Sequence, residues 1–221
     1  MTGIDGAKGG WIVCKIINEE INIFFSPKIP NIEEKTLIDI PIGIPENRFR
    51  RCDIQAKQIL SKRSGSIFLV PVRQALYANT YEEALKINRK FTGKGFPKQL
   101  WNIRKKIQEI DQILISNPRF SEILIESHPE ICFLKLSGKL LPAKKTPQGF
   151  LTRIEIIENL LPGFKRKTQK IFQKFQKYKH DILDACILAA ALKFPLSFIP
   201  EQPEYDVFGI PMRIAYPMVE K

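Results

Sequence analysis

The stretch TGIDGAKGGWIVCKI, residues 2–16, decides the fold. A short apolar run leads to Asp5, glycines follow, and the chain continues directly into a second apolar run. Because Asp and Gly tolerate the backbone angles of tight turns, Asp5 and Gly6 have a simple interpretation as hairpin-turn residues. A second interpretation is that Asp5 stands where a strand stops, so that its carboxylate can hold a metal ion. If the second interpretation is right, the same arrangement should recur on other strands.

Two further strand-like segments end on an acid. TLIDIPIG, residues 36–43, carries Asp39, and EILIESHP, residues 122–129, carries Glu126 before a proline. Asp is depleted in strands, and a charge beside a buried run is costly unless it is paired. Parallel strands bring their carboxyl ends to one edge of a sheet, where ligands bind in open α/β folds. The recurrence therefore favours one shared acidic site over unrelated turns.

A fourth acidic element is KHDILDACILAAAL, residues 179–192. Its pattern predicts a helix that is apolar almost all round, with Asp181 and Asp184 on one face because they are three residues apart. Asp181 has the alternative, commoner role of a helix N-cap. Asp184 lies a turn inside the helix among apolar residues, so a buried carboxylate there needs a partner.

Carboxylates that are packed together repel each other, and a divalent cation removes the conflict. Oxygen-only ligands suit Mg²⁺ or Mn²⁺, and a pair of such ions can clamp the attacking and leaving oxygens of a phosphodiester. We therefore expect catalytic acids at Asp5, Asp39, Glu126 and Asp184, and metal ligands at the same four residues and Asp181.

The order of the predicted elements indicates an α/β domain with a mixed sheet. Strands open the chain, and later strands alternate with helices. The stretch from about residue 46 to 118 separates two strands by far more than a normal crossover, and its pattern is mostly helical. We expect a single domain over residues 1–221 that contains this stretch as an insertion.

Composition narrows the classes of function. The 221 residues carry a formal net charge of +12, which favours a polyanionic partner such as DNA or RNA. The four cysteines are far apart without a C-x-x-C pair, which argues against a zinc site and a disulfide framework. No run approaches the ~18 apolar residues of a membrane span, and no signal peptide is visible. We expect a cytoplasmic protein without a membrane partner.

A basic segment, FKRKTQKIFQKFQKYKHD at residues 164–181, contains no acid before its last residue. Interleaved basic and aromatic residues can follow a nucleic-acid backbone. The alternative is an amphipathic helix with its aromatic side chains in the core and its lysines in water. We expect the aromatic residues to be core and the lysines to be the electrostatic footprint.

Five further residues are candidates for binding substrate. His128 and His180 each lie beside a proposed ligand, where a general-base or metal role is one interpretation. A structural hydrogen bond is an equal alternative for His128 and the favoured interpretation for His180. Lys8 could reach a phosphate from the first turn, or it is simply a solvated turn lysine. The candidates are Lys8, Arg51, His128, Lys144 and Lys145.

Several motifs together carry a family resemblance. GIDGAKGGWI, IDIPIGIP, RRCD, TGKG, ESHPEICF and KKTPQG resemble a family of predicted RNase H-like nucleases, a domain of unknown function in the ribonuclease H-like superfamily. The resemblance covers nearly the whole chain. It implies an RNase H-like fold, with a central five-stranded mixed sheet that has one antiparallel strand and is flanked by helices.

The same resemblance implies a set of metal ligands and an activity. The ligands would be Asp5, Glu126, and Asp184 or Asp181, with Asp39 as a fourth candidate, and the activity would be metal-dependent hydrolysis of nucleic acid. Ribonuclease H proper has a glutamate on a helix after the third strand. Here only NIEEK, residues 31–35, lies between strands, so specificity for RNA–DNA hybrids is not implied.

Two other functions remain open at this point. A non-catalytic nucleic-acid-binding module would keep the acids for structure. A nucleotide-dependent phosphotransferase of related fold would begin with the same three strands and a glycine-rich phosphate turn. It would need a second copy of the fold, for which 221 residues with an insertion leave no room.

Overall fold

A computed structural model of the chain describes residues 1–219 and shows a mixed α/β architecture. The strands are β1 (Thr2–Ala7), β2 (Gly10–Ile17), β3 (Glu20–Ser26), β4 (Thr36–Asp39), β5 (Leu124–Glu126), β6 (Leu196–Tyr205) and β7 (Pro211–Pro217). The helices are α1 (Arg51–Leu60), α2 (Arg73–Leu76), α3 (Tyr81–Thr92), α4 (Lys98–Ser116), α5 (Pro129–Ser137), α6 (Pro147–Leu160), α7 (Phe164–Lys174) and α8 (Lys179–Ala191). Short 3₁₀ segments cover Ser61–Ser66, Pro118–Glu122 and Gln176–Tyr178.

The central sheet has five strands in the order β3-β2-β1-β4-β5. Strand β2 is antiparallel to both β1 and β3, whereas β4 is parallel to β1 and to β5. The sheet is therefore mixed, with β2 as its one antiparallel strand. This architecture confirms the predicted fold class and is consistent with an RNase H-like fold.

The first hairpin differs from the expectation in its position. Strand β1 continues two residues beyond Asp5, which lies opposite Ile12 of β2. The turn is instead formed by Lys8 and Gly9, and Gly9 has a φ of +86°, which glycine adopts without a steric penalty. Asp5 is thus a residue inside a strand. The hairpin-turn interpretation of Asp5 and Gly6 is therefore wrong, and so is the expectation that the first strand stops at Asp5.

The chain divides into two compact units. The sheet unit contains residues 1–39, 123–197 and 215–219, and the helical unit contains residues 40–122 and 198–214. The predicted insertion at 46–118 thus lies inside the helical unit, whose boundaries are wider. The helical unit also takes in most of β6 and β7, which pair as a separate two-stranded sheet.

A buried ion cluster explains why a late segment belongs to the helical unit. The Arg73 guanidinium donates to Glu46 at 2.9 Å, to Asp111 at 2.5 Å and to Asp206 at 2.8 Å. Asp206 also accepts a hydrogen bond from the Ile44 backbone N–H. Residues far apart in sequence are therefore joined through one arginine. This acidic cluster is structural, because its carboxylates already share a cation.

Helix α8 packs closely on β1 within the sheet unit. A Cβ atom at Gly3 would lie 2.1 Å from the Ala185 carbonyl oxygen and 2.4 Å from the Ala189 backbone nitrogen. Only glycine therefore allows this approach. The side chains of α8 from Ile182 to Ala191 are all buried, as the apolar pattern predicts.

Gly3→Ala is expected to destabilise the protein by about 3 kcal/mol or more, because the new methyl group meets backbone atoms that cannot rotate away. Thermal unfolding should show a midpoint lower by roughly 6–12 °C, since about 2–4 °C corresponds to 1 kcal/mol in a chain of this size. Gly65→Ala is the matched control, because a Cβ at Gly65 meets nothing within 4 Å. Equal midpoints for the two variants would contradict the close packing of α8 on β1.

None of the helices in residues 1–219 combines the length and the apolar character that crossing a membrane requires.

Candidate metal centre

Two predicted acids lie side by side on neighbouring strands. Strand β1 is parallel to β4, and the register places Asp5 directly opposite Asp39. Cross-strand partners project to the same face of a sheet. Asp5 is only 7% exposed, and Asp39 is partly exposed at the end of β4. The two carboxylates therefore share one face of the sheet.

Helix α8 covers that same face and contributes a third acid. Gly3 and Asp5 are two residues apart on β1, so both face α8, and the close contact at Gly3 fixes the position of the helix. Asp184 immediately precedes Ala185 at this contact and is 2% exposed. Two strands and one helix thus bring Asp5, Asp39 and Asp184 together.

Lys144 forms an ion pair with one member of this acidic group. Its Nζ donates to Asp184 Oδ2 at 2.6 Å, across 40 residues of chain. The residue lies in the segment between α5 and α6, and its side chain is 40% exposed. In this structure Lys144, one of the candidates for binding substrate, is the counter-ion of a buried carboxylate.

The electrostatics show that the three acids repel one another. Burial raises the pKa of Asp5 well above its ordinary value, and the charges of Asp39, Asp184 and Asp181 raise it further. Burial and the charge of Asp184 raise the pKa of Asp39 to about 7. Lys144 opposes both shifts, and its own pKa is raised because the acids outweigh the effect of its burial. A single ammonium group therefore offsets only part of the repulsion.

Asp181 lies one turn before Asp184. Helix α8 begins at Lys179, so Asp181 is in its first turn and does not occupy the N-cap position, which belongs to Tyr178. Its charge reaches Asp5, whose pKa it raises. The N-cap interpretation of Asp181 is therefore not what the structure shows, and Asp181 lies at the border of the acidic group.

Glu126 has a different position from the one expected. Strand β5 is parallel to β4, and the register places Glu126 opposite Ile38, one residue before Asp39. Side chains alternate between faces along a strand, so Glu126 projects to the face opposite Asp5 and Asp39. It is buried there. The structure therefore brings together Asp5, Asp39 and Asp184, and it places Glu126 apart from them.

The remaining predicted site residues lie at varied positions. His128 occupies the N-cap position of α5, and Lys8 is exposed in the turn between β1 and β2. Lys145 is exposed beside Lys144. Arg51 belongs to the helical unit, where its guanidinium donates to the Gln202 carbonyl at 3.2 Å.

The donor chemistry of the acidic group fits a divalent cation, although the side chains are not arranged as a complete cage. Within residues 1–219, no three His, Cys, Asp or Glu side chains form a group ready to hold a metal ion. Asp184 is also engaged by Lys144 at 2.6 Å. Carboxylate oxygens are nevertheless the ligands that Mg²⁺ and Mn²⁺ prefer. A divalent charge would relieve the repulsion that, in addition to burial, raises the pKa of Asp5 and Asp39.

A comparison with known protein families matches most of the chain, as the positions of the motifs in the sequence predict. A family model described as "Protein of unknown function (DUF429)" matches residues 3–194, and the chain belongs to this family. The matched span contains every acid of the group and Lys144. No curated protein and no solved structure gives a significant match to the chain. The family description assigns no activity, so the function has to be argued from the site.

Proposed function

We propose that this protein is a metal-dependent nuclease of the ribonuclease H-like superfamily, which hydrolyses phosphodiester bonds with Mg²⁺ or Mn²⁺. The observation that carries the proposal is the meeting of Asp5, Asp39 and Asp184 on one face of the sheet. Three clustered acids with one lysine among them are costly to fold, and such a cost is typical of a functional site.

Each residue has a stated part in the proposed reaction. Asp5, Asp39 and Asp184 would hold the metal ions, with Asp181 as a further ligand at the border. The bound ions would lower the pKa of an attacking water and stabilise the charge on the leaving oxygen. Lys144 would leave Asp184 when metal binds, and its ammonium group would then contact a phosphate oxygen of the substrate.

The charge of the protein supports a nucleic-acid substrate. The formal net charge is +12, and seven basic residues of the segment 164–180 are exposed: Lys165, Arg166, Lys167, Lys170, Lys174, Lys177 and Lys179. Phosphates would be their natural counter-ions.

The proposal is tested by incubating the protein with labelled single-stranded, duplex and branched DNA and RNA, with Mn²⁺, Mg²⁺ or EDTA. We expect cleavage only with metal, and none by Asp5→Asn, which preserves the shape of the side chain. Glu155→Gln is the control, because Glu155 is exposed on α6. Cleavage that persists in EDTA or in Asp5→Asn would refute the proposal. Salt-sensitive binding without cleavage of any substrate would instead support the non-catalytic binding module.

A further inference from the structure

A groove on the sheet unit has features that the proposed hydrolysis does not use. It has a volume of about 460 Å³ and is lined by Phe150 of α6, Phe172 and Gln173 of α7, and the following residues Gln176 and Lys179. The two phenylalanine rings meet edge to face, with 6.1 Å between their centroids and an angle of 72°. Both rings are only partly buried. The groove therefore offers aromatic surface at the outside of the protein.

The polar side chains of the groove have unused hydrogen-bonding capacity. Gln173 and Gln176 are exposed, and neither side-chain amide has a hydrogen-bond partner in residues 1–219. A glutamine amide has both donors and an acceptor, so it can match the edge of a nucleobase. Aromatic rings bind the faces of bases whatever their sequence. The lining thus has what is needed to bind an unpaired base.

The surroundings of the groove are strongly basic. The segment from Phe164 to His180 has seven Lys and Arg residues and no acid, and Lys179 itself lines the groove. An apolar ligand would gain nothing from this charge, whereas a phosphate attached to the bound base would. Charge complementarity therefore favours a nucleotide within a strand over an apolar segment of a protein.

The groove lies close along the chain to the acidic group. His180 packs edge to face on Phe150 at 5.5 Å, and Lys179 is the first residue of α8. Lys179 and Asp184 are five positions apart on α8, a rise of about 7.5 Å along the helix axis. A base held in the groove would thus be near the phosphodiester that the acids are proposed to cleave.

We propose that this groove binds the base of an unpaired nucleotide, so that the protein recognises a single-stranded segment of DNA or RNA. The placement next to the scissile bond rests on the proposed function. Base binding itself does not, because it requires neither metal nor hydrolysis.

The test is equilibrium binding of the full chain, in EDTA, to fluorescent 20-nucleotide single strands of oligo-dT and oligo-U and to a 20-base-pair duplex. Phe150→Leu and Phe172→Leu remove the ring and keep an apolar side chain at each position. We expect each to weaken single-strand binding about tenfold, since stacking on one aromatic ring contributes at least that much, and to leave duplex binding unchanged. Phe91→Leu is the matched control, because Phe91 is an exposed phenylalanine on α3 outside the groove.

A second probe separates the base from the phosphate. An abasic oligonucleotide of the same length keeps the charges, and we expect wild type to bind it about as weakly as Phe172→Leu binds the normal strand. Gln173→Ala should also weaken single-strand binding, whereas Gln169→Ala, on the same helix but outside the groove, should not. The glutamine variants keep the test decisive if a phenylalanine variant unfolds.

The outcomes separate this inference from the proposed nuclease activity. Single-strand binding that is absent in wild type, equal for the abasic strand, or unchanged in all groove variants would overturn the inference. Base-dependent binding without metal-dependent cleavage would support base binding in the groove and refute the proposed nuclease activity. Metal-dependent cleavage that does not depend on the groove residues would support the nuclease activity and refute base binding in the groove.

Discussion

Asp39→Asn is expected to reduce metal-dependent hydrolysis by at least about 100-fold, whereas Glu126→Gln is expected to retain most of it. The register places Asp39 opposite Asp5 on the face that α8 covers, and it places Glu126 opposite Ile38 on the other face. Loss of a group that only orients a metal ligand typically costs 10–100-fold, so loss of a ligand oxygen should cost more. Both substitutions preserve side-chain shape.

The measurement is the initial rate of cleavage of the best substrate, normalised to the folded fraction of each variant. Thermal unfolding in EDTA provides that fraction, because a buried glutamate can also matter for stability. If Glu126→Gln lost activity and Asp39→Asn kept it, the ligand set implied by the family resemblance would be right. The geometric assignment from the strand register would then be wrong.

The sequence predicts which elements carry the acids better than it predicts how the side chains point. The apolar runs before Asp39 and Glu126 correctly indicate strands that end on an acid, and the apolar pattern around Asp184 correctly indicates a buried helix. The opening strands and the five-stranded mixed sheet are also confirmed. The strands and the buried helix follow from local periodicity, which a single sequence contains, whereas the sheet of five strands with one antiparallel strand is what the family resemblance implies.

The face on which Glu126 lies could not be predicted in the same way. A shift of one residue in strand register moves every side chain to the opposite face. The register between β4 and β5 depends on contacts between segments about 85 residues apart, and no local pattern encodes it. The ion pair between Lys144 and Asp184 was missed for the same reason, because a lysine in a loop has no periodicity that reports its partner.

Lys144→Met is expected to destabilise the protein at pH 8 by about 1–3 kcal/mol in the absence of metal. Removing one partner of a fully buried ion pair costs about 3–5 kcal/mol, and the smaller figure applies here because the Lys144 side chain is 40% exposed. Methionine retains the apolar stem of the lysine, so the change mainly removes the charge that offsets Asp5, Asp39 and Asp184. Lys145→Met is the matched control. Lys145 is the exposed neighbour of Lys144, so this substitution should change the free energy of unfolding by no more than about 0.5 kcal/mol.

The raised pKa of Asp39 determines how the stability of the protein changes with pH. Burial and neighbouring charge raise the pKa of Asp39 to about 7, so the folded protein binds more protons than the unfolded chain between about pH 4 and pH 7. Stability therefore falls as the pH rises through that range, and it falls further without Lys144, which lowers the pKa of both Asp5 and Asp39. Wild type and Lys144→Met should consequently have similar unfolding midpoints near pH 5 and diverge towards pH 8.

Added Mn²⁺ distinguishes a metal centre from a structural ion pair. If the acids hold metal, Mn²⁺ should raise the unfolding midpoint of wild type by linkage, and it should raise that of Lys144→Met more, because no ammonium group competes for Asp184. The variant should then recover most of the stability that it lost at pH 8. A variant that is destabilised at pH 8 but indifferent to Mn²⁺ would show that Lys144 and Asp184 form only a structural pair. A variant as stable as wild type at every pH would show that the three carboxylates do not repel one another as their positions require.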